Sequence, residues 1–175
     1  MSKHSIALIG FMATGKSTVG KALKHRLGRD YGFIETDQII IDIAGKSIPK
    51  IFTEDGEARF RDYEAEACKK AARLSKSIIS CGGGVVLNET NIEIFKQSCY
   101  IVLLTATPEV IYSRAMSEGK KNRPVINKKY PFKEIEKVLR YRESYYKSSA
   151  EIIIDTTEKS IERIIEEILM QTKLF

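Results

Sequence analysis

The octapeptide GFMATGKS, Gly10 to Ser17, constrains this chain more than any other stretch. It satisfies G-x-x-x-x-G-K-[ST] at every fixed position. An apolar run, SIALIG (5–10), precedes it, and an amphipathic run, KSTVGKALKHRL (16–27), follows and closes at Gly28. Strand, glycine loop and helix in that order make a cradle for phosphate. The glycines let the backbone curl so that its N–H groups face the anion, and the helix N-terminus adds partial positive charge. Lys16 is placed to reach the β- and γ-phosphates, and the Ser17 hydroxyl to ligate Mg²⁺. The bland alternative, a glycine turn beside a surface lysine, does not account for the strand before and the helix after. The chain is expected to bind ATP or GTP with Mg²⁺.

The rest of the chain repeats the alternation. Strands are predicted near 5–10, 33–36, 77–81, 99–104 and 151–155. Helices are predicted over 16–27, 37–44, 48–55, 57–75, 88–97, 108–117, 131–148 and 159–171. This order predicts an α/β fold in three layers, a five-stranded parallel sheet with helices on both faces. Two regions interrupt it: a helical insert near 34–64, and a polar, basic loop punctuated by Gly119 and Pro124 within 115–130. A single domain is expected, with its core in about 1–33, 65–114 and 131–175, the insert as a substrate flap and the loop as a lid.

Composition narrows the classes. Cys68, Cys81 and Cys99 lack metal or C-x-x-C spacing, which predicts reduced thiols and a cytoplasmic protein. No signal-peptide pattern is read at the N-terminus, and no apolar stretch approaches the ~20 residues of a membrane span. The net charge of +6 suits either a lysine-rich solvated surface or an anionic ligand. A nucleic-acid-associated ATPase or switch would carry an acid at the end of a core strand, whereas strand three ends in SCGGG. No apolar seam suggests a dimer, so a monomer is expected.

In an open parallel sheet, ligands bind beyond the carboxyl ends of the strands. Glu35 and Asp37, in FIETD, and the triplet Gly82, Gly83 and Gly84 therefore share the crevice of the phosphate loop. Three successive glycines at a strand end are entropically costly, so something must approach the backbone there. With GEARFRDYE, SCGGG, NRP and RESYYKSSAEIIIDT following in order, the chain resembles the shikimate kinase family along essentially its whole length. Gluconate kinases share the size and the P-loop, but none of their other motifs is read in this chain. The resemblance implies a P-loop fold of the nucleoside monophosphate kinase type. It also implies transfer of the ATP γ-phosphoryl group to the 3-hydroxyl of shikimate, a step toward chorismate and the aromatic amino acids.

That resemblance assigns roles residue by residue. Gly10, Ala13, Thr14, Gly15, Lys16, Ser17 and Thr18 would hold ATP, with Arg114 stacked on adenine and residues 155–161 across the slot. Arg123, in NRPV, would swing onto the γ-phosphate. Arg61 and Arg142 would grip the shikimate carboxylate, because a planar guanidinium can bind two oxygens at once. Arg140 is the competing arginine two residues from Arg142. Glu64 would orient Arg61; otherwise it is a surface acid, and Arg61 a partner of Glu57. Asp37 would hold the substrate hydroxyls and act as base, with a helix N-cap as its plainer role. Gly83 would offer its N–H to a hydroxyl while Gly82 and Gly84 clear space, against the plainer reading of a bulge or loose turn.

Two positions depart from the family. Glu35 stands where the family usually has aspartate holding Mg²⁺ through water. Ala13 and Thr14 stand where it commonly has glycine and alanine. A Cβ at 13 disfavours positive φ, so the loop is expected to keep an α- or β-region angle there. Two alternatives stay open: a P-loop kinase of another small hydroxy acid or nucleotide, and the nucleic-acid-associated ATPase.

Overall fold

The computed structural model describes residues 3–117 and 129–174. Five strands form one parallel sheet in the order β2-β3-β1-β4-β5. They are β1 (Ser5–Ile9), β2 (Gly32–Glu35), β3 (Ser77–Ser80), β4 (Cys99–Thr105) and β5 (Ile152–Asp155). The helices are α1 (Lys16–Leu27), α2 (Thr36–Ala44), α3 (Ile48–Glu54), α4 (Gly56–Ala72), α5 (Glu89–Ser98), α6 (Pro108–Ser117), α7 (Pro131–Ser149) and α8 (Ile161–Thr172).

The strand sequences explain the layers. β1 is buried at every residue because it lies at the sheet centre with helices on both faces. Its side chains alternate between faces. Ile6 and Leu8 join Ile78, Val102 and Leu104 in a core with α1 and α8. Ala7 and Ile9 join Ile79, Ile101 and Leu103 in the opposite core, with α4, α5, α6 and α7. A third, small core of Ile40, Ile51, Phe60 and Ala67 is drawn from α2, α3 and α4. α8 turns Ile164, Ile165, Ile168 and Leu169 inward, and the Ser160 side chain caps it by accepting the Arg163 N–H.

Boundaries moved where glycine takes over. β1 and β3 stop one residue before the predicted ends, because Gly10 and the segment from Cys81 to Gly84 leave the sheet to build loops. α4 ends at Ala72 rather than 75, and Lys76 turns the chain with φ 50°. A 3₁₀ turn at Val85–Leu87 was not predicted; a three-residue element shows no period. Cys68, Cys81 and Cys99 are buried and unpaired, and burial raises all three thiols, away from the reactive thiolate. Among the described residues no helix is long and apolar enough to cross a membrane.

Candidate active site

The loop between β1 and α1 forms a cradle held from inside. Gly10 has φ 140°, and a Cβ there would lie 2.3 Å from the Leu104 carbonyl oxygen. Gly15 caps α1 with φ 96°, and no side chain makes the cap hydrogen bond. The Lys16 ammonium curls back over the loop and donates to the carbonyls of Gly10 (2.8 Å) and Phe11 (2.7 Å). Thr14 is buried and bonds the Phe11 carbonyl through its hydroxyl (2.9 Å). Thr18 stays exposed in the first turn of α1.

Ala13 does not behave as expected. It sits at φ 57°, in the left-handed region, despite its Cβ. The loop imposes that angle, and the chain bears a strain of about 1–2 kcal/mol for a non-glycine residue there. Replacing Ala13 by glycine is therefore expected to stabilise the fold by about 1 kcal/mol, a rise in Tm of about 2–4 °C by calorimetry.

Gly82 and Gly84 clear room for the protein's own side chains. A Cβ on Gly84 would lie 2.5 Å from Arg61 Nη1, and one on Gly82 would lie 3.0 Å from Asp37 Oδ1 and 3.4 Å from Glu64 Oε1. None of the three glycines has positive φ, so space rather than backbone conformation requires Gly82 and Gly84, whereas a Cβ on Gly83 would meet only ordinary contacts from 3.6 Å. Arg61 is clamped by two acids of its own helix, Glu64 at 2.7 Å and Glu57 at 3.2 Å. Glu64 is only 1% exposed, not a surface acid. Burial pulls its carboxyl upward and Arg61 pulls it down, with burial the larger effect. The Gly82 N–H donates to the Thr36 hydroxyl (3.0 Å), which ties the triplet to the start of α2.

Asp37 lies inside the first turn of α2; the N-cap is Glu35, and no side chain performs the cap bond. The N-cap role considered for Asp37 is therefore excluded. Its carboxylate is open to water in the cleft yet surrounded by protein, and loss of bulk solvent raises its pKa. The Lys16 charge opposes that rise and Glu35 adds to it. Asp37 thus feels the phosphate cradle on one side and touches the glycine wall on the other.

Helix α7 closes the far side. Arg142 Nη1 donates to the Gly83 carbonyl at 3.2 Å, whereas Arg140 lines other surfaces. The Arg142 Nε, on one edge of the guanidinium, is buried with no hydrogen-bond partner among the described residues. A carboxylate fits such an edge with two parallel hydrogen bonds. Tyr146, not singled out from the sequence for any role in the site, donates its hydroxyl to the same Gly83 carbonyl at 2.5 Å. Burial is the main influence raising its pKa and keeps it a donor.

Arg114 is anchored by its edge: Nη2 donates to the Thr156 carbonyl (2.7 Å) and Nη1 to the Thr156 hydroxyl (3.0 Å). This leaves the planar face uncommitted. Thr156, within the stretch 155–161 expected across the adenine slot, is buried at the end of β5, and its hydroxyl lies within 3.1 Å of the Thr14 carbonyl and 2.9 Å of the Thr105 carbonyl. Arg123 lies outside the described residues.

The oxygens fit a hard cation. The Ser17 hydroxyl bonds the Glu35 carboxylate and lies 3.4 Å from the Ser80 hydroxyl. Ser80 ends β3, where a nucleic-acid-associated ATPase or switch would carry an acid. Mg²⁺ typically takes one or two protein oxygens, substrate phosphates and water, not a full protein cage.

A separate cavity of about 360 Å³ runs between α7 and the end of β4, lined by Phe11, Leu103, Pro108, Ile111, Leu139 and Tyr146 among others. Neither Lys16, Asp37, Arg61 nor Arg142 lines it. The convergence of charge, rather than cavity size, marks the site.

A family model for shikimate kinase matches residues 12–173. A shikimate kinase of Caldanaerobacter subterraneus subsp. tengcongensis is 42% identical over 165 residues, covering 94% of each chain. The solved shikimate kinase of Acinetobacter baumannii, in complex with shikimate, superposes with a TM-score of 0.88 at 29% identity, covering 97% of this chain and 93% of its own. That of Aquifex aeolicus gives 0.81 at 36% identity, covering 97% and 96%. With its parallel sheet, phosphate cradle and glycine wall, the chain belongs to the shikimate kinase family.

Proposed function

We propose that this protein transfers the γ-phosphoryl group of ATP to the 3-hydroxyl of shikimate, and that Asp37, Arg61, Glu64, Gly82, Gly83, Gly84 and Arg142 form the acceptor site. One observation carries the reading. Asp37 stands between Lys16, which belongs to the phosphate cradle, and a wall holding two guanidinium groups. A donor phosphate and an acceptor carboxylate are recognised on opposite sides of a single carboxylate that can take a proton.

The chain's residues do the following. Gly10, Ala13, Thr14, Gly15, Lys16, Ser17 and Thr18 enclose the phosphates, and Lys16 leaves the loop carbonyls for phosphate oxygens. Arg114 presents its face to adenine. Arg61, held by Glu64 and Glu57, and Arg142, through its Nε–Nη2 edge, take the acceptor carboxylate. Asp37 orients the reacting hydroxyl and accepts its proton as the oxygen attacks phosphorus and the bond to the ADP oxygen breaks. The transition state is loose, so alignment matters more than base strength. Ser17, and Glu35 through water, would hold Mg²⁺, which neutralises phosphate charge when bound. Arg123 would add charge on the γ-phosphate, and residues 34–64 and 115–130 would act as substrate flap and lid. The fold works as a cytoplasmic monomer in this reading.

Release of ADP from ATP and Mg²⁺ tests it. Shikimate is expected to raise the rate at least tenfold over no acceptor, gluconate or a nucleoside monophosphate, given what water exclusion contributes to suppressing hydrolysis. Equal rates with and without shikimate would refute it; a preference for another acceptor would keep the kinase and change its substrate.

A further inference from the structure

We propose that Tyr146 is a positioning residue of the shikimate site, whose hydroxyl holds the Gly83 carbonyl against which Arg142 also braces. The inference rests on the acceptor site described under Proposed function.

The geometry is specific. Tyr146 and Arg142 lie one turn apart on α7, and both donate to one oxygen, at 2.5 Å and 3.2 Å. A carbonyl has two lone pairs and accommodates both donors. The neighbouring carbonyls of the triplet are held differently. Gly82 accepts from the Val85 N–H (3.2 Å) and Gly84 from the Leu87 N–H (3.0 Å), both within the local turn. Gly83 alone is fastened by side chains, and both come from α7.

Two consequences follow. The Gly83 carbonyl and the Gly84 N–H share one peptide plane, so holding the oxygen sets the direction of that amide. The same oxygen fixes Arg142 Nη1, and a planar guanidinium fixed at one nitrogen keeps its Nε–Nη2 edge in one direction. Without the phenol, the carbonyl is free to turn and Arg142 loses its brace. The ring itself packs in the core with Phe11 and Ile135. Tyr146→Phe keeps that packing and removes only the donor.

The test is Tyr146→Phe, with Leu139→Ala as the control for looser packing of the same helix. Leu139 lines the same cavity and makes no contact with Gly83 among the described hydrogen bonds. In Tyr146→Phe, KM for shikimate is expected to rise about five- to tenfold, with KM for ATP within twofold. In ligand-free protein labelled with ¹⁵N-glycine, the Gly84 amide is expected to shift and broaden. Leu139→Ala is expected to lower Tm and move neither readout. Unchanged shikimate KM in Tyr146→Phe, or an unchanged Gly84 amide, overturns the proposal. A native enzyme with no shikimate-dependent turnover instead overturns the reading on which it rests, so the two failures are distinguishable.

Discussion

Asp37→Asn is expected to lower kcat by about 10²–10⁴-fold while leaving a protein that is folded and slightly more stable than the native one. The loss follows from position. Asparagine keeps the size and one acceptor oxygen but takes no proton, and it removes the charge that stands beside Lys16. The gain in stability follows from the raised pKa. Asp37 is ordinarily near 3.8 and is pushed above that by loss of bulk solvent. A carboxyl whose folded pKa exceeds its unfolded value favours folding only below the unfolded pKa, and that contribution is lost as pH rises through the folded value. At neutral pH the ionised group is therefore a cost that asparagine removes. Thermal unfolding against pH is expected to show Asp37→Asn ahead at pH 7, with its lead vanishing as pH falls toward 3.8. Water reaches the carboxylate in the cleft, which keeps the lead small. A variant less stable than native at pH 7 would mean that Asp37 holds the site together rather than storing a cost for catalysis.

The same residue shows where sequence reading succeeds and where it stops. The glycine loop, the parallel sheet implied by alternating runs and the crevice at the strand ends were legible, because each rests on local chemistry repeated along the chain. The carboxylate at 37 was legible at a strand end facing the crevice, but its role, and the arginines at 61 and 142, were legible only as members of a family pattern. Tyr146 had no local signal at all, and Thr156 had only its place in the stretch 155–161. Their hydroxyls act on carbonyls of Gly83 and Thr105, 63 and 51 residues away, and such pairings exist only once the fold is formed. Ala13 was misread for a related reason. Alanine by itself argues against positive φ, but the surrounding loop imposes the angle.

The glycine triplet supplies the sharpest test of that lesson. Gly84→Ala is expected to lower kcat/KM for shikimate by about two orders of magnitude while the fold persists. Gly84 has φ −96° and ψ 0°, which alanine adopts without strain. What the new methyl meets is Arg61, with Nη1 at 2.5 Å and Cζ at 3.1 Å. A guanidinium is the flexible end of its side chain, so it yields before the backbone does. In yielding it leaves Glu64, a buried acid 2.7 Å away, and the direction in which it meets the acceptor carboxylate. Gly83→Ala separates this account from the one in which the triplet clears room for the ligand itself. Around Gly83 the nearest protein atom to a Cβ is Arg142 Nη1 at 3.6 Å, an ordinary contact. If Arg61 is what the triplet accommodates, Gly83→Ala is the milder variant, and Gly84→Ala adds little to Arg61→Ala in a double-mutant cycle. If the ligand is what needs the space, Gly83→Ala matches or exceeds Gly84→Ala and the two single losses at 61 and 84 add.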